Sequence, residues 1–193
     1  MPLNLLVVAV SYVLGSVDFA VLAGNVRGVD VYKEGSGNPG AANVMRTMGR
    51  SAAALVLLGD ATKGAIAAGL GLVVGGAPMA VAAGFFAVLG HCYPVFHRFR
   101  GGKGVATAAG VMLVAFPLPA LLLVALWVGV VVATRTASAG SLVVMVAAVP
   151  LLVVLGYSGP LLLWVGAMAL LVILRHRANI HRLISRTEAT FER

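Results

Sequence analysis

The sequence predicts an all-α polytopic membrane protein with seven transmembrane helices, several of them short. Hydrophobic residues make up 61% of the 193 positions and charged residues only 10%, and the mean hydropathy is +1.03. A soluble domain carries about 25% charged residues. Because apolar segments recur along nearly the whole chain, we expect a single integral membrane domain covering residues 1–193. The predicted spans lie, in order, at 2–24, 51–74, 79–96, two passes within 105–134, 141–155 and 161–174.

Charged side chains lie inside the first two predicted spans. An acidic group such as Asp18 in the first span is costly, unless it faces a polar partner or lies near the solvated interface, and both alternatives remain open. Asp60 and Lys63 are three residues apart in the second span, so one helix face carries both. A structural ion pair is favoured over direct contact with a substrate. Residues 75–78 form an uncharged turn before the third span.

The stretch 105–134 decides the topology. Pro117 and Pro119 lie near its centre, and proline cannot continue a helix without losing a backbone hydrogen bond, so two passes are expected. With two passes, every lysine and arginine except Lys63 lies on one side of the membrane. Positive residues favour the cytoplasmic face, which places the N-terminus outside and the C-terminus in the cytoplasm. A later pass of about 12 residues would cover only about 18 Å, so we expect the cytoplasmic loops to dip into the membrane or the bilayer to thin.

Two glycine-rich loops on the predicted cytoplasmic side are suited to binding anions. The first contains Gly35, Ser36, Gly37, Asn38, Gly40, Asn43 and Arg46. The second contains Gly101, Gly102, Lys103 and Gly104. Glycines let the backbone approach a ligand closely, successive N–H groups can form an anion nest, and an arginine fork suits phosphate. The alternatives are that both loops are ordinary turns, and that Lys103 only sets the topology.

The remaining polar residues limit the chemistry. No cluster has the ligand spacing of a zinc site, no carboxylate pair suggests two metal ions, and no nucleic-acid-binding motif is present. We therefore expect a site that binds anions without a metal or another cofactor. His176 is either a general base or a charge at a helix C-terminus, and its spacing favours the second. Arg135, Ser138 and Ser141 recur every third residue, which would place them nearly on one helix face.

Four blocks of this sequence, taken together, resemble the bacterial acyl-phosphate:glycerol-3-phosphate acyltransferase family (PlsY). They are Gly35-Ser36-Gly37-Asn38-Pro39-Gly40-Ala41-Ala42-Asn43-Val44-Met45-Arg46, Gly90-His91-Cys92-Tyr93-Pro94-Val95-Phe96 continuing through Phe99-Arg100-Gly101-Gly102-Lys103-Gly104-Val105-Ala106-Thr107, the Arg135/Ser138/Ser141 repeat, and residues 176–183. The first two blocks are highly specific, and the resemblance covers essentially the whole chain in order. Three positions depart from the family pattern: Ala42 stands for a usual threonine, Asp18 for an uncharged residue and Arg186 for a glycine.

The resemblance implies a seven-span enzyme of the bacterial inner membrane whose active site faces the cytoplasm. Such an enzyme transfers a fatty acyl group from acyl phosphate, supplied by a soluble phosphate acyltransferase, to the 1-hydroxyl of sn-glycerol 3-phosphate. The products are lysophosphatidic acid and phosphate, in the first step of phospholipid synthesis, and no cofactor is needed. The catalytic residues carried over are Ser36, Arg46, Lys103, Ser141, His176 and Asn179. The expected substrate-binding and phosphate-binding residues are Gly35, Gly37, Asn38, Gly40, Asn43, His91, Gly101, Gly102, Gly104 and Ser138.

Direct transfer is the expected mechanism, because neither Ser36 nor Ser141 has a convincing adjacent base in the sequence. The proton of the attacking hydroxyl could go to His176 or to the substrate's own phosphate. We favour the phosphate, since nearby cations disfavour a protonated histidine. Two other classes are less well supported. A transporter would need polar residues across the bilayer, and an alcohol phosphotransferase would need clustered aspartates for metals.

Overall fold

The computed structural model describes residues 2–191, and these residues form helices and connecting loops with no strand. The helices are α1 (Pro2–Gly15), α2 (Phe19–Arg27), α3 (Ala41–Met48), α4 (Arg50–Cys92), α5 (Val105–Ala115), α6 (Pro117–Thr134), α7 (Ala137–Val154), α8 (Pro160–Arg175) and α9 (Arg177–Ile184), with a 3₁₀ turn at Val95–His97. The predicted all-α class is confirmed. The chain forms two compact units, Met1–Ala115 and Phe116–Arg193, which we describe separately.

Among the described residues, four helical stretches are long and apolar enough to cross a membrane. They are Pro2–Arg27, Arg50–His97, Pro117–Thr134 and Ala137–Val154. The pair Pro160–Arg175 and Arg177–Ile184, bent by 59°, makes a fifth if it counts as one span. Each predicted apolar segment is largely helical, but the total of seven crossings, the orientation of the termini and the single-domain organisation remain predictions.

The first predicted span is broken, and Asp18 lies in the break. α1 ends at Gly15 and α2 begins at Phe19. The Asp18 carboxylate is buried and accepts hydrogen bonds from the N–H groups of Ala20, at 3.0 Å, and Val21, at 3.1 Å. It therefore caps the N-terminus of α2, where a negative charge also complements the helix dipole. Of the two alternatives for Asp18, the structure supports a buried side chain with polar partners.

α4 is a broken helix, as the uncharged turn at 75–78 predicts. Gly75 (φ −151°, ψ 23°) and Gly76 (φ 68°, ψ −164°) leave the helical conformation and divide α4 into two arms. A φ of 68° favours glycine, because a Cβ would be strained there. The second arm ends at Cys92, earlier than the expected end at Phe96. Pro94 is the physical reason, since a proline restricts the residue before it to extended conformations.

The first unit is held together by close backbone contacts. A Cβ on Gly90 would overlap the carbonyl oxygen of Tyr12, and a Cβ on Gly110 would overlap that of Ala61. Such small-residue contacts are typical of membrane helices. An apolar cluster packs α3 against α2 and α4 and so fixes the helix that follows the first glycine-rich loop. Its buried members are Ala20, Val44, Ala52, Ala53 and Val56.

The chain breaks where the two prolines predict. α5 ends at Ala115, and α6 begins with Pro117 in its first turn, where proline's missing N–H is not needed. α5 has 11 residues and is short. α6 and α7 have 18 residues each and α8 has 16. They rise about 24–27 Å and are longer than the passes of about 12 residues expected for this region.

Candidate active site

The first glycine-rich loop is shaped from within by Asn43. Its Oδ1 accepts a hydrogen bond from the N–H of Ser36 at 2.7 Å. Its Nδ2 donates to the carbonyl oxygens of Val31, at 3.2 Å, and Glu34, at 3.1 Å. Asn43 is buried and both of its amide hydrogens are used. Asn43 therefore supports the loop, and its expected role as a substrate-binding group remains a prediction.

Glycine is required at two positions of this loop by the backbone. Gly35 has φ 60° and Gly37 has φ 66°, in the left-handed region. Gly40 is extended (φ −168°) and precedes α3, so its conformation alone does not require glycine. Ser36 and Arg46, the predicted catalytic residues of the loop region, are both exposed. Gly35 and Arg46 also line an open groove of about 500 Å³, together with the acidic residues Asp30 and Glu34.

The second glycine-rich loop lies against the first. The N–H of Gly102 donates to the carbonyl oxygen of His91 at 3.1 Å. A Cβ on Gly102 would overlap Nε2 of His91 and would lie 2.6 Å from the carbonyl oxygen of Pro39, in the first loop. Because Gly102 has no side chain, the second loop can lie in contact with His91 and with Pro39 of the first loop. Lys103 is half-buried beside it, and Gly104 has φ 86°, which favours glycine.

Tyr32 ties the two loops together. Its hydroxyl donates to the carbonyl oxygen of Arg100 at 2.8 Å, and the Arg100 guanidinium lies 4.9 Å from the centre of the Tyr32 ring. Burial raises the pKa of the Tyr32 phenol to about 12, and the Asp18 and Asp30 carboxylates add to the rise. The phenol therefore keeps its proton and remains a donor at neutral pH. The structure thus brings together the two loops that the sequence singled out.

Beneath the second loop, Lys63, Asp60 and His91 form a buried polar cluster. Lys63 Nζ lies 2.8 Å from Asp60 Oδ1, 2.9 Å from His91 Nδ1 and 2.6 Å from the carbonyl oxygen of Val17. His91 Nδ1 is also 3.4 Å from Asp60 Oδ1. The predicted ion pair of Asp60 with Lys63 is confirmed. The Nδ1 of His91 lies in this cluster and its Nε2 is directed at Gly102, and the expected role of His91 in binding phosphate remains a prediction.

In the second unit, the three polar residues at 135, 138 and 141 do not share a helix face. Arg135 has φ 55° and ends α6, whereas Ser138 and Ser141 lie in the first turns of α7. The expectation of one face was wrong because the chain turns at Arg135. Ser141 Oγ donates to the carbonyl oxygen of Ala137 at 2.8 Å and accepts from Trp127 Nε1 at 3.2 Å.

His176 is buried at the junction of α8 and α9. Its Nδ1 lies 2.8 Å from the carbonyl oxygen of Val172. A carbonyl oxygen only accepts, so Nδ1 carries a proton and Nε2 is the basic nitrogen of the neutral ring. His176 follows the last residue of α8, as the helix-terminus alternative predicts. This tautomer of His176 is also compatible with a role as a general base.

Glu188 is a residue that the sequence analysis did not identify. Its Oε1 accepts from Ser138 Oγ at 2.8 Å and from Asn179 Nδ2 at 2.5 Å, and its Oε2 accepts from Arg182 Nε at 2.6 Å. Burial raises the pKa of Glu188, but these hydrogen bonds outweigh it and hold the pKa below its usual range. The sequence signal was weak, because Glu188 is one of two acidic residues, with Glu192, in an arginine-rich tail.

The predicted catalytic residues divide evenly between the units. Ser36, Arg46 and Lys103 belong to the first, with the two glycine-rich loops, and Ser141, His176 and Asn179 belong to the second. Within residues 2–191, no group of three or more histidine, cysteine or acidic side chains is placed to hold a metal ion. The expectation of a site without a metal remains a prediction.

Apolar helices, joined loops rich in glycine and basic residues, and buried polar groups at helix ends define a polytopic membrane protein suited to an anionic ligand. A model of the glycerol-3-phosphate acyltransferase family matches residues 5–186. The chain belongs to this family of integral membrane acyltransferases. The family resemblance inferred from the sequence blocks is thereby confirmed.

Relatives and solved structures match over nearly the full length. Glycerol-3-phosphate acyltransferase of Rubrobacter xylanophilus is 45% identical over 190 residues, covering 98% of this chain and 96% of the relative. The protein of the same name from Geobacter sulfurreducens is 44% identical over 191 residues, covering 98% of each. A crystal structure of PlsY, an integral membrane glycerol 3-phosphate acyltransferase, in its glycerol 3-phosphate form is similar with a TM-score of 0.95 and 38% identity, covering 98% of this chain and 96% of that one. The structure of its lysophosphatidic acid form is similar with a TM-score of 0.92 and 38% identity, covering 98% of this chain and 95% of that one.

Proposed function

We propose that this protein transfers a fatty acyl group from acyl phosphate to the 1-hydroxyl of sn-glycerol 3-phosphate, giving lysophosphatidic acid and inorganic phosphate. This is the first step of phospholipid synthesis, and it takes place at the cytoplasmic face of the bacterial inner membrane. The observation that carries the proposal is the contact between the two glycine-rich loops, through Tyr32 with Arg100 and Gly102 with Pro39. Family membership supports the acyl acceptor, since the similar PlsY structures are glycerol 3-phosphate and lysophosphatidic acid forms.

The loops supply what two phosphate-bearing reactants need. Arg46 was expected within the first loop but lies on α3, which follows that loop, and Lys103 lies in the second loop. Their positive charges would offset the repulsion between the two phosphates, and loop N–H groups would add donors. Phosphate is a good leaving group from a mixed anhydride, so catalysis rests on positioning and on charge stabilisation.

The acyl group passes directly to the acceptor. Ser141 already donates its hydroxyl hydrogen to the Ala137 carbonyl and accepts from Trp127. It is therefore engaged as a hydrogen-bonding group, and within residues 2–191 it is not paired with a base. Ser36 is assigned to hydrogen bonding as well. In our mechanism the 1-hydroxyl attacks the acyl carbonyl, the bond to phosphate breaks, and the hydroxyl proton goes to the phosphate of glycerol 3-phosphate.

One assay tests the reaction. Purified protein is given palmitoyl phosphate and glycerol 3-phosphate in the presence of a metal chelator, with palmitoyl-CoA as the control donor. We expect stoichiometric phosphate and lysophosphatidic acid from the acyl phosphate alone. Equal use of the CoA ester, or loss of activity on chelation, would contradict the proposal. A radiolabelled acyl group trapped on Ser36 or Ser141 would overturn direct transfer.

A further control separates the enzyme from a carrier of phosphorylated solutes. Vesicles containing the protein are given labelled glycerol 3-phosphate without a donor. We expect no protein-dependent uptake. Saturable uptake together with absent acyl transfer would favour the carrier.

A further inference from the structure

The Glu188 carboxylate is the centre of a partly buried hydrogen-bonding group in the second unit. Its side chain is only 8% exposed, although it belongs to the tail that follows α9. Ser138, Asn179 and Arg182 donate to its two oxygens. The tail is held further by the N–H of Phe191, which donates to the carbonyl oxygen of Arg135 at 2.9 Å. Two of the three side-chain donors, Ser138 and Asn179, are predicted site residues.

This arrangement fixes which way the Asn179 amide faces. An ionised carboxylate accepts hydrogen bonds and has no proton to donate. The NH₂ group of Asn179 must therefore face Glu188, and its Oδ1 must face elsewhere. Asn179 is 3% exposed, and within the described part of the chain its Oδ1 makes no hydrogen bond. A buried acceptor without a donor is unfavourable, and such groups often mark a function.

We propose that Glu188 is a positioning residue that holds Asn179 with its Oδ1 ready to accept a hydrogen bond from a hydroxyl of glycerol 3-phosphate. The inference rests on the proposed function and assigns one contact within it. Hydroxyls are the donors that glycerol 3-phosphate offers, whereas its ionised phosphate accepts. Asn179 held in this way is therefore matched to the glycerol part of the substrate.

Another interpretation of the same contacts is that Glu188 occupies the place of a substrate phosphate and must leave before binding. The two interpretations predict kinetic effects of opposite sign. If Glu188 blocks the site, its removal lowers KM for glycerol 3-phosphate. If it positions Asn179, its removal raises KM or lowers kcat.

The decisive experiment exchanges the amide and the carboxylate. In Glu188→Gln, one end of the new amide faces a second donor, either Asn179 or Arg182, and we expect kcat/KM for glycerol 3-phosphate to fall about tenfold. In Asn179→Asp, two carboxylates face each other, and we expect a loss of about 100-fold.

The double variant restores the match between donors and acceptors. The amide introduced at position 188 can donate to the carboxylate introduced at position 179 and accept from Arg182. The other oxygen of that new carboxylate stays an acceptor for the substrate hydroxyl. We therefore expect kcat/KM of the double variant to return to within about tenfold of the wild type.

Two outcomes overturn the inference. A double variant no more active than Asn179→Asp means that the substrate needs a donor at position 179. A lower KM in Glu188→Gln means that the carboxylate blocks the site. Glu192→Gln removes the same charge from the same tail and should leave kcat and KM unchanged.

Folding is checked for every variant by its melting temperature and its elution from a sizing column in detergent. If Glu188→Gln does not fold, Arg182→Gln weakens the same hold on the carboxylate. It should lower kcat/KM about threefold, and an unchanged value contradicts the inference. The wild type is assayed first with acyl phosphate, so a failure of the proposed function appears before any variant is compared.

Discussion

Lys63 Nζ lies 2.8 Å from Asp60 Oδ1, and both side chains are only 2% exposed, within a helical stretch apolar enough to span a membrane. The three ammonium hydrogens of Lys63 can be matched by Asp60, His91 and the Val17 carbonyl. A charge in such a segment is tolerated when it is paired and faces the protein interior. The cluster connects both arms of α4 to the break between α1 and α2. Because His91 contacts Gly102, the cluster also supports the second glycine-rich loop.

The first prediction concerns this pair. Lys63→Met and Asp60→Asn should each lower the free energy of unfolding by about 3–5 kcal/mol, because each leaves one buried charge without its partner. The double variant should lose clearly less free energy of unfolding than the sum of the two single losses. Unfolding in detergent, followed by circular dichroism, measures all three. Additive losses would show that the two charges are not coupled.

The matched control is the exposed ion pair of Lys33 with Asp30. Its nitrogen and oxygen are 3.4 Å apart, and the side chains are 83% and 46% exposed. Lys33→Met should change the free energy of unfolding by less than about 1 kcal/mol.

The second prediction tests the tie between the loops. Tyr32→Phe removes the hydroxyl that donates to the Arg100 carbonyl but keeps the ring under the Arg100 guanidinium. Since a net hydrogen bond contributes about 1 kcal/mol, we expect kcat/KM to fall about fivefold and the melting temperature to fall by only about 2–4 °C. Steady-state phosphate release measures the change. Tyr157→Phe, whose ring packs on Phe116 in the other unit, should leave the kinetics unaltered. Wild-type kinetics in Tyr32→Phe would show that the hydrogen bond from Tyr32 to Arg100 is not needed for activity.

The third prediction tests the contact at Gly102. In Gly102→Ala, the new methyl group would overlap His91 Nε2 and crowd the Pro39 carbonyl, so the two loops must move apart. A displacement of about 1 Å near a reacting group can lower the rate about 100-fold, and we expect a loss of that size. Gly69→Ala is the control, because a Cβ at this helical position meets no atom within 4 Å. Similar activity in the two variants would rule out a tight contact at Gly102.

Features that depend on local chemistry could be predicted from the sequence. Pro117 marks the start of α6, and the break at Gly75 and Gly76 divides α4, because proline and glycine act on the backbone of their own neighbourhood. The i, i+3 spacing likewise indicated the pairing of Asp60 with Lys63. The loop glycines were recognisable for the same reason.

Features that depend on distant partners could not be predicted. His91 joins Lys63 from 28 residues away, across the break in α4. The support that Asn43 gives to the loop could not be foreseen, because its partners are backbone groups whose positions depend on the folded turn. Asp18 looked like a charge within a span because the apolar composition conceals the break that it caps. Glu188 reaches Ser138 across 50 residues of sequence.

The fourth prediction is a pH dependence of stability that arises from Glu188. Burial alone would raise its pKa, but the hydrogen bonds from Ser138, Asn179 and Arg182 hold the folded-state pKa below the usual range. A carboxyl group whose pKa is depressed by folding stabilises the folded state above its unfolded-state pKa, and this contribution disappears as the pH falls through the folded-state value. Wild type should therefore exceed Glu188→Gln in stability near neutral pH, and the difference should narrow as the solution becomes acidic. The melting temperatures of both proteins are measured from neutral to acidic pH and compared with that of Glu192→Gln at each pH. A difference that is constant with pH, or that grows on acidification, would show that the hydrogen bonds to Glu188 do not favour its ionised form.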